Sequence, residues 1–292
     1  MEGFITDSLL PPDMARKAED IGVQKAGMGI VKTSALAVLA GAFIAFGAVF
    51  YSVVISGSNM SYGLTKLLGG IAFSLGLILV VVGGAELFTG NNLMIMAWAN
   101  RKIKTFHVLK NWAFVYAGNM FGAASVVILI LLSGEYLFGK GLTGLSMLEI
   151  AKAKCELGFS QAIALGVLCN ILVCLAIWLC FSAKTTHGKI LAIVFPITAF
   201  VAAGFEHSVA NMYFIPAGIL LKNWADPALW DLIQSSASNY ESLTWSNFFL
   251  GNLLPVTIGN ILGGAVFVGL AYWFIYLRGG KKTDMQTGPG WD

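Results

Sequence analysis

Apolar positions along this chain gather into six long blocks, residues 32–56, 67–98, 107–133, 159–182, 189–220 and 247–277, with polar connections between them. A helix needs about 20 apolar residues to cross a hydrocarbon core of about 30 Å, so the pattern predicts six membrane-spanning helices. Longer connections fall at 134–158 and 221–246. The second and fifth blocks are too long for one span, since about 32 residues of unbroken helix would run about 48 Å. Each is expected to break where its polar residues cluster, at GGAELFTGNN (83–92) and AAGFEHSVANM (202–212). Gly83, Gly84, Gly90 and Gly204 permit unusual backbone angles there, and Pro196 and Pro216 cap or kink the flanking helices. Non-helical backbone at membrane depth is tolerated only where protein or a water-filled cavity satisfies it, so both breaks are expected to line a pathway.

The two broken segments repeat a pattern. Glu86 is followed five residues later by Asn91, as Glu206 is by Asn211, and GNMFGAA at 118–124 is echoed by GNILGGA at 259–265. Two halves of three spans each are implied, about 32–133 and 159–277. Because three is odd, the second half enters the membrane upside down: an inverted 3+3 repeat, in which broken helices meet near the midplane around a transport site. The spacings Gly118 to Gly122 and Gly259 to Gly263 mark close helix packing.

Composition agrees with an all-α membrane protein. Of 292 residues, 57% are hydrophobic and 11% charged, against about 25% charged in soluble domains, and the mean hydropathy is +0.78. A soluble enzyme, a nucleic-acid module and a single-span receptor are excluded. The net charge of +3 implies no nucleic-acid partner, because the cations are sorted by side. Thirteen of the eighteen Lys and Arg lie in the tails and even-numbered connections, leaving Lys66, Lys140, Lys152, Lys154 and Lys222 on the other side. The positive-inside rule then puts both termini in the cytosol. The first thirty residues carry five acids and no long apolar core, unlike a cleavable signal peptide. Asp13, after Pro11 and Pro12, is the expected N-cap of a helix over 13–28. Trp224, Trp230 and Trp245 on one side, with Trp98 and Trp273 on the other, suit interfacial anchors. Three of the four cysteines, Cys169, Cys174 and Cys180, share one apolar run and Cys155 lies in a polar connection, which suits packing residues better than a disulfide framework. His107, His187 and His207 are dispersed and no ligand cluster appears, so neither a metal, nor a cofactor, nor enzyme chemistry is expected.

Three titratable side chains fall at membrane depth: Glu86, Glu206 and His207. The carboxylates occupy equivalent positions, which favours a scaffold role, accepting hydrogen bonds from the breaks' orphan N–H groups, over direct substrate contact. Asn91, Asn211, Asn119 and Asn260 read as clamps, since a carboxamide satisfies N–H and C=O groups together. His207 has no counterpart, Leu87 standing in its place, so the scaffold does not require it. An imidazole can give a hydrogen bond or a proton to an oxyanion. Thr89, in the opposite break, offers a hydroxyl to face it.

The strings FSLGLILVVVGGAELFT, AAGFEHSVANMYFIPAG and PVTIGNILGGAVFVGLAYW resemble the formate/nitrite transporter family, its formate channels most of all, and the likeness runs from the N-terminal Leu-Leu-Pro segment to about Arg278. The resemblance implies an aquaporin-like six-span protomer in a bacterial inner membrane, assembled as a homopentamer with one pore per protomer. It implies pH-dependent passage of formate and related small anions. Constrictions are implied at Leu77 and Leu87 on the cytosolic side and at Phe73 and Phe200 on the periplasmic side, with His207 and Thr89 between them and Lys154 and Asn170 towards the periplasmic vestibule. Residues 1–31 would then form a cytosolic gating segment, 32–277 the channel and 278–292 a cytosolic tail. Nitrite or hydrosulfide conduction and proton-coupled formate carriage are the alternatives within the family. A water or neutral-solute channel is disfavoured: paired NPA motifs are missing, and the one Asp-Pro-Ala, at 226–228, lies in a connection.

Overall fold

Backbone amides in hydrocarbon must find partners within the protein, and helices supply them within one segment. In the computed structural model, which describes residues 8–279, every regular element is a helix, apart from one isolated bridge between Ser8 and Ala183. The start of the chain, residues 1–7, and most of the expected tail, residues 280–292, lie outside the described residues.

Helix α1 (Pro11–Gly27) precedes α2 (Ile30–Ile55) and α3 (Tyr62–Gly83). Short α4 (Phe88–Asn91) and α5 (Ile95–Ala99) follow, joined by a 3₁₀ turn, then α6 (Thr105–Ser133), α7 (Leu142–Cys155) and α8 (Phe159–Ser182). The remainder comprises α9 (Thr186–Ala202), α10 (Ser208–Trp224), α11 (Pro227–Ile233) and α12 (Asn247–Tyr276). Five of these, α2, α3, α6, α8 and α12, are long and apolar enough to cross a membrane, while α9 is apolar over 17 residues.

Both overlong blocks are interrupted. The second runs as α3, stops after Gly83 and resumes at Phe88; the fifth stops after Ala202 and resumes at Ser208. Gly84 (φ 80°) and Gly204 (φ 73°) make the turns, in a left-handed conformation that a side chain would strain. Pro196 and Pro216 sit inside α9 and α10 rather than at their ends.

Two further expectations change. Helix α1 begins at Pro11, with Leu10 as N-cap, and Asp13 instead pairs with Arg16 at 3.0 Å. Proline at the first helical position has its φ already set and no N–H to satisfy, so the helix starts earlier than an Asp13 cap would have it. Cys155, expected in a polar connection, is the buried last residue of α7; all four cysteines are buried and free. Of the tryptophans, Trp224, Trp245 and Trp98 are exposed, whereas Trp230 and Trp273 are partly buried.

Glycines set the helix spacing. On α6, a Cβ added at Gly118 would fall 2.5 Å from the Ala37 Cβ, and one at Gly122 would strike the Val38 carbonyl of α2; on α12, one at Gly259 or Gly263 would strike the Ile163 or Val167 carbonyl of α8. Helix α1 docks through Met14, Ala15 and Ala18 onto a cluster that includes Met96, Trp178 and Phe181. Its Lys17 also donates to the Phe181 carbonyl at 3.0 Å. Gly122→Ala pushes a methyl into fixed backbone and is expected to cost about 2–3 kcal/mol. Gly63→Ala, with nothing within 4 Å of the added carbon, serves as the control. Thermal unfolding of the two purified variants checks this, and equal melting temperatures would refute close α2–α6 contact as the constraint.

Candidate functional site

Interrupting a helix strands N–H and C=O groups. At the first break the Ala85 amide returns to the Val80 carbonyl (2.9 Å) and the Glu86 amide crosses to the Leu36 carbonyl of α2 (3.2 Å). Asn119 of α6 adds three more: it accepts from the Phe88 amide (2.9 Å) and donates to the carbonyls of Ala37 (2.7 Å) and Glu86 (3.0 Å). The second break is wired in the same way. Phe205 returns to Phe200 (3.0 Å), Glu206 crosses to Leu165 of α8 (3.2 Å), and Asn260 of α12 accepts from Ser208 (2.9 Å) while donating to Gly166 (2.8 Å) and Glu206 (3.0 Å).

The two carboxylates do a different job from the one expected of them. Among the described residues no backbone N–H donates to the side chain of Glu86 or Glu206; their own amides cross to neighbouring helices, and the Phe88 and Ser208 amides go to Asn119 and Asn260. Glu86, 5% exposed, instead accepts from Lys25 Nζ of α1 (2.5 Å) and from Asn91 Nδ2 (2.7 Å). Lys25 also donates to Asn91 Oδ1 (2.9 Å), and Asn91 Nδ2 donates to Asn111 Oδ1 (2.8 Å). Glu206, 4% exposed, accepts from Lys154 Nζ (2.7 Å), Asn211 Nδ2 (2.6 Å) and Asn252 Nδ2 (3.3 Å), and Asn211 donates to Asn252 Oδ1 (2.7 Å). A buried carboxylate requires a cation and hydrogen-bond donors, and each break recruits both. Lys25, Asn111 and Asn252 were not singled out from the sequence. A signal existed for the asparagines: Asn111 and Asn252 each lie eight residues before Asn119 and Asn260. The lysines carry one as well: Lys25 lies five residues before α2 begins at Ile30, as Lys154 lies five before α8 begins at Phe159.

His207 is the N-cap of α10, where its Nδ1 accepts from the Ala210 amide at 3.0 Å. An amide can only donate, so in the neutral ring Nδ1 is bare and Nε2 carries the hydrogen. That Nε2–H faces Thr89 Oγ1 at 3.0 Å, and both side chains are buried. The ring lies nearly parallel to Phe200 (centroids 6.0 Å apart), whose edge meets Phe73 (5.8 Å). Leu77 and Leu87 are buried.

Two cavities approach this pair. One of about 250 Å³ is bounded by α1 and α3, with Lys25, Glu86, Leu87 and Asn91 in its wall. The other, of about 220 Å³, is lined by Phe73, Lys154, Phe200, Glu206 and His207. Leu87 and Gly90 face the first cavity while Thr89, between them in the chain, bonds the histidine of the second, so the Thr89–His207 contact lies between the two. Asn170, expected near a vestibule with Lys154, is fully buried away from both. Its Nδ2 shares two hydrogens among three acceptors, the Asn260 carbonyl (2.6 Å), Asn92 Oδ1 (2.9 Å) and the Thr89 carbonyl (3.3 Å), and Cys174 Sγ also reaches the Thr89 carbonyl (3.4 Å). Asn170 therefore ties the two breaks together from behind. Helix α12 widens into π-type turns on either side of Asn260: Asn252 lies in the first, and Gly264 of the second packs against the Asn170 amide and Cys174.

These features define a helical membrane protein with two cavities separated by a histidine and a threonine between interrupted helices. The formate/nitrite transporter family model matches residues 12–274, and the chain belongs to that family. It is 48% identical over 273 residues to "Formate channel FocA" of Escherichia coli K12, covering 93% of this chain and 96% of that one. It is 40% identical to "Formate channel FocB" of the same organism, covering 93% and 96%. Among solved structures, "Pentameric formate channel with formate bound" superposes with a TM-score of 0.81 at 45% identity, covering 85% of this chain and 98% of that one.

Asn260→Ala leaves three backbone groups unpaired (the Ser208 amide and the Gly166 and Glu206 carbonyls). At about 1–3 kcal/mol for each stranded group, the loss is expected to be at least about 3 kcal/mol. Thermal unfolding in detergent measures it, and a loss below about 1 kcal/mol would contradict the clamp.

Proposed function

We propose that the protein is a channel passing formate and related small monovalent anions across a bacterial inner membrane. The observation that carries this reading is the Nε2–H of His207, held at the junction of two lysine-bearing cavities and flanked by Phe200. The names of its relatives, and the formate-bound pentamer it superposes on, support both the substrate and a homopentamer.

In this reading the protomer is aquaporin-like, with six spans: α2, α3 with α4 and α5, α6, α8, α9 with α10, and α12. The halves 32–133 and 159–277 form an inverted repeat, which the matching bonds of Asn119 and Asn260 support. Both termini are cytosolic, so the Lys25 cavity opens to the cytosol and the Lys154 cavity to the periplasm. Leu77 and Leu87 narrow the cytosolic side, Phe73 and Phe200 the periplasmic side. A small anion loses hydration in such a slot and needs local compensation. Lys154 draws it in and His207 meets it with a hydrogen bond in place of Thr89, while Asn170 holds the Thr89 loop in position. Donating a proton demands more. The ring must first be protonated at Nδ1, giving up the Ala210 bond, and then release a proton from Nε2 to the carboxylate, so that formic acid crosses as a neutral species.

Formate flux in proteoliposomes at two pH values tests the reading. Wild-type flux is expected to depend on pH, and His207→Phe to abolish that dependence; an unchanged pH response would remove histidine from the mechanism, and no flux above protein-free vesicles would overturn the channel itself.

Residues 1–31 form the gate in this reading, supported by the place of α1 in the wall of the Lys25 cavity. Deleting residues 1–28 is expected to leave a channel that no longer closes with pH. Normal closure in the same assay would assign α1 a purely structural role.

A further inference from the structure

A third cleft lies outside the proposed pathway, where the joint between α1 and α2 meets the first turns of α6. Its polar walls are Lys25, Thr33, His107, Lys110 and Asn111, with no carboxylate among its lining residues. Among the described residues, Lys110 has no ion pair and the Thr33 hydroxyl has no hydrogen-bond partner, although Thr33 is only 4% exposed. The His107 ring accepts from the Lys104 amide through Nδ1 at 3.2 Å, so Nε2 of the neutral ring is again the N–H. Asn111 is 6% exposed and spends its oxygen on Asn91, keeping its own N–H groups as donors. The Lys25 ammonium has three donors and uses two, on Glu86 and Asn91. The cleft thus concentrates unspent donors, two lysines and the positive end of a 29-residue helix around a space of about 20 Å³. That is room for one or two oxygen atoms.

We propose that this cleft binds a phosphate-class oxyanion, two of whose oxygens enter it while the remainder of the group stays outside. An ammonium, an imidazole N–H, a carboxamide and a hydroxyl match tetrahedral oxygens, and the charged donor strengthens the match. Because Lys25 lines both this cleft and the first cavity, an occupant here also bears on the Lys25–Glu86 pair and on the seating of α1. The chemistry is shared by free phosphate and by an anionic phospholipid headgroup at the membrane surface.

The assembled wild-type protein and a Lys110→Gln/His107→Gln double variant separate the possibilities. Gln at position 107 retains an acceptor for the Lys104 amide, so the start of α6 is preserved. Calorimetric titration with inorganic phosphate in detergent is expected to saturate with the wild type and to weaken at least about tenfold in the double variant. Should phosphate not bind, native mass spectrometry after extraction from phosphatidylcholine vesicles containing phosphatidylglycerol is expected to show phosphatidylglycerol retained by the wild type and lost from the variant. The first result assigns the cleft to a free anion and the second to a headgroup. Lys110→Gln alone, expected to weaken whichever ligand binds at least about threefold, replaces the double variant should that fail to assemble. Failure of both ligands to bind, or equal binding by wild type and variant, overturns the proposal.

Discussion

A helix that stops inside hydrocarbon exposes amides and carbonyls that no water can reach, and much of this structure is arranged around meeting that demand twice. A carboxamide suits the task because it carries two donors and an acceptor on one rigid plane. Asn119 and Asn260 each use all three, linking a neighbouring helix, the loop and the first residue of the next helix. The glycine packing follows from the same requirement. For Asn119 to reach the Ala37 carbonyl, α6 must lie close against α2, and Gly41 beneath the Asn119 backbone, with Gly118 and Gly122 alongside, removes the side chains that would hold them apart.

With the backbone served by carboxamides, the carboxylates are free to hold charge at the cavity walls. Glu86 and Glu206 each bind a lysine whose side chain is largely but not wholly buried, 21% and 15% exposed. A carboxylate or an ammonium alone would be costly in this setting, and removing one partner of such a pair costs about 3–5 kcal/mol. Paired, the lysines remain charged beside the cavities without adding much net charge. Each ammonium also keeps donors unspent, Lys25 using two of its three and Lys154 one. The same pairing fastens α1 to the first break through Lys25, so a helix outside the spanning bundle becomes part of the cavity wall.

The His207–Thr89 contact is where the symmetry of the two breaks fails. On one side Leu87 presents a hydrocarbon; on the other His207 presents a hydrogen-bond donor whose direction is set by the cap it makes with Ala210. The hydrogen bond that starts α10 therefore also fixes the chemical state of the ring facing the junction. Asn170 and Cys174 restrain Thr89 from behind, so both members of the pair are held by second contacts rather than left to find each other.

The sequence by itself determined that the protein is helical and lies in a membrane, where its two helices break, and that Glu86, Asn91, Asn119 and their partners in the second half belong to one device. Those features are local: block length, glycine and the spacing of polar residues in apolar runs report directly on whether a helix can continue. The likeness of three strings to a known family was equally legible. Only the tertiary structure decided what each polar group bonds to. It gave the carboxylates to Lys25 and Lys154, moved Asn170 from the vestibule to the back of the Thr89 loop, and placed α1 against the first cavity. Those partners are separated in the chain by 61, 52 and 81 residues for Lys25–Glu86, Lys154–Glu206 and Asn170–Thr89. A hydrogen bond depends on distance and angle in space, which the packing of whole helices sets and no spacing along the chain encodes.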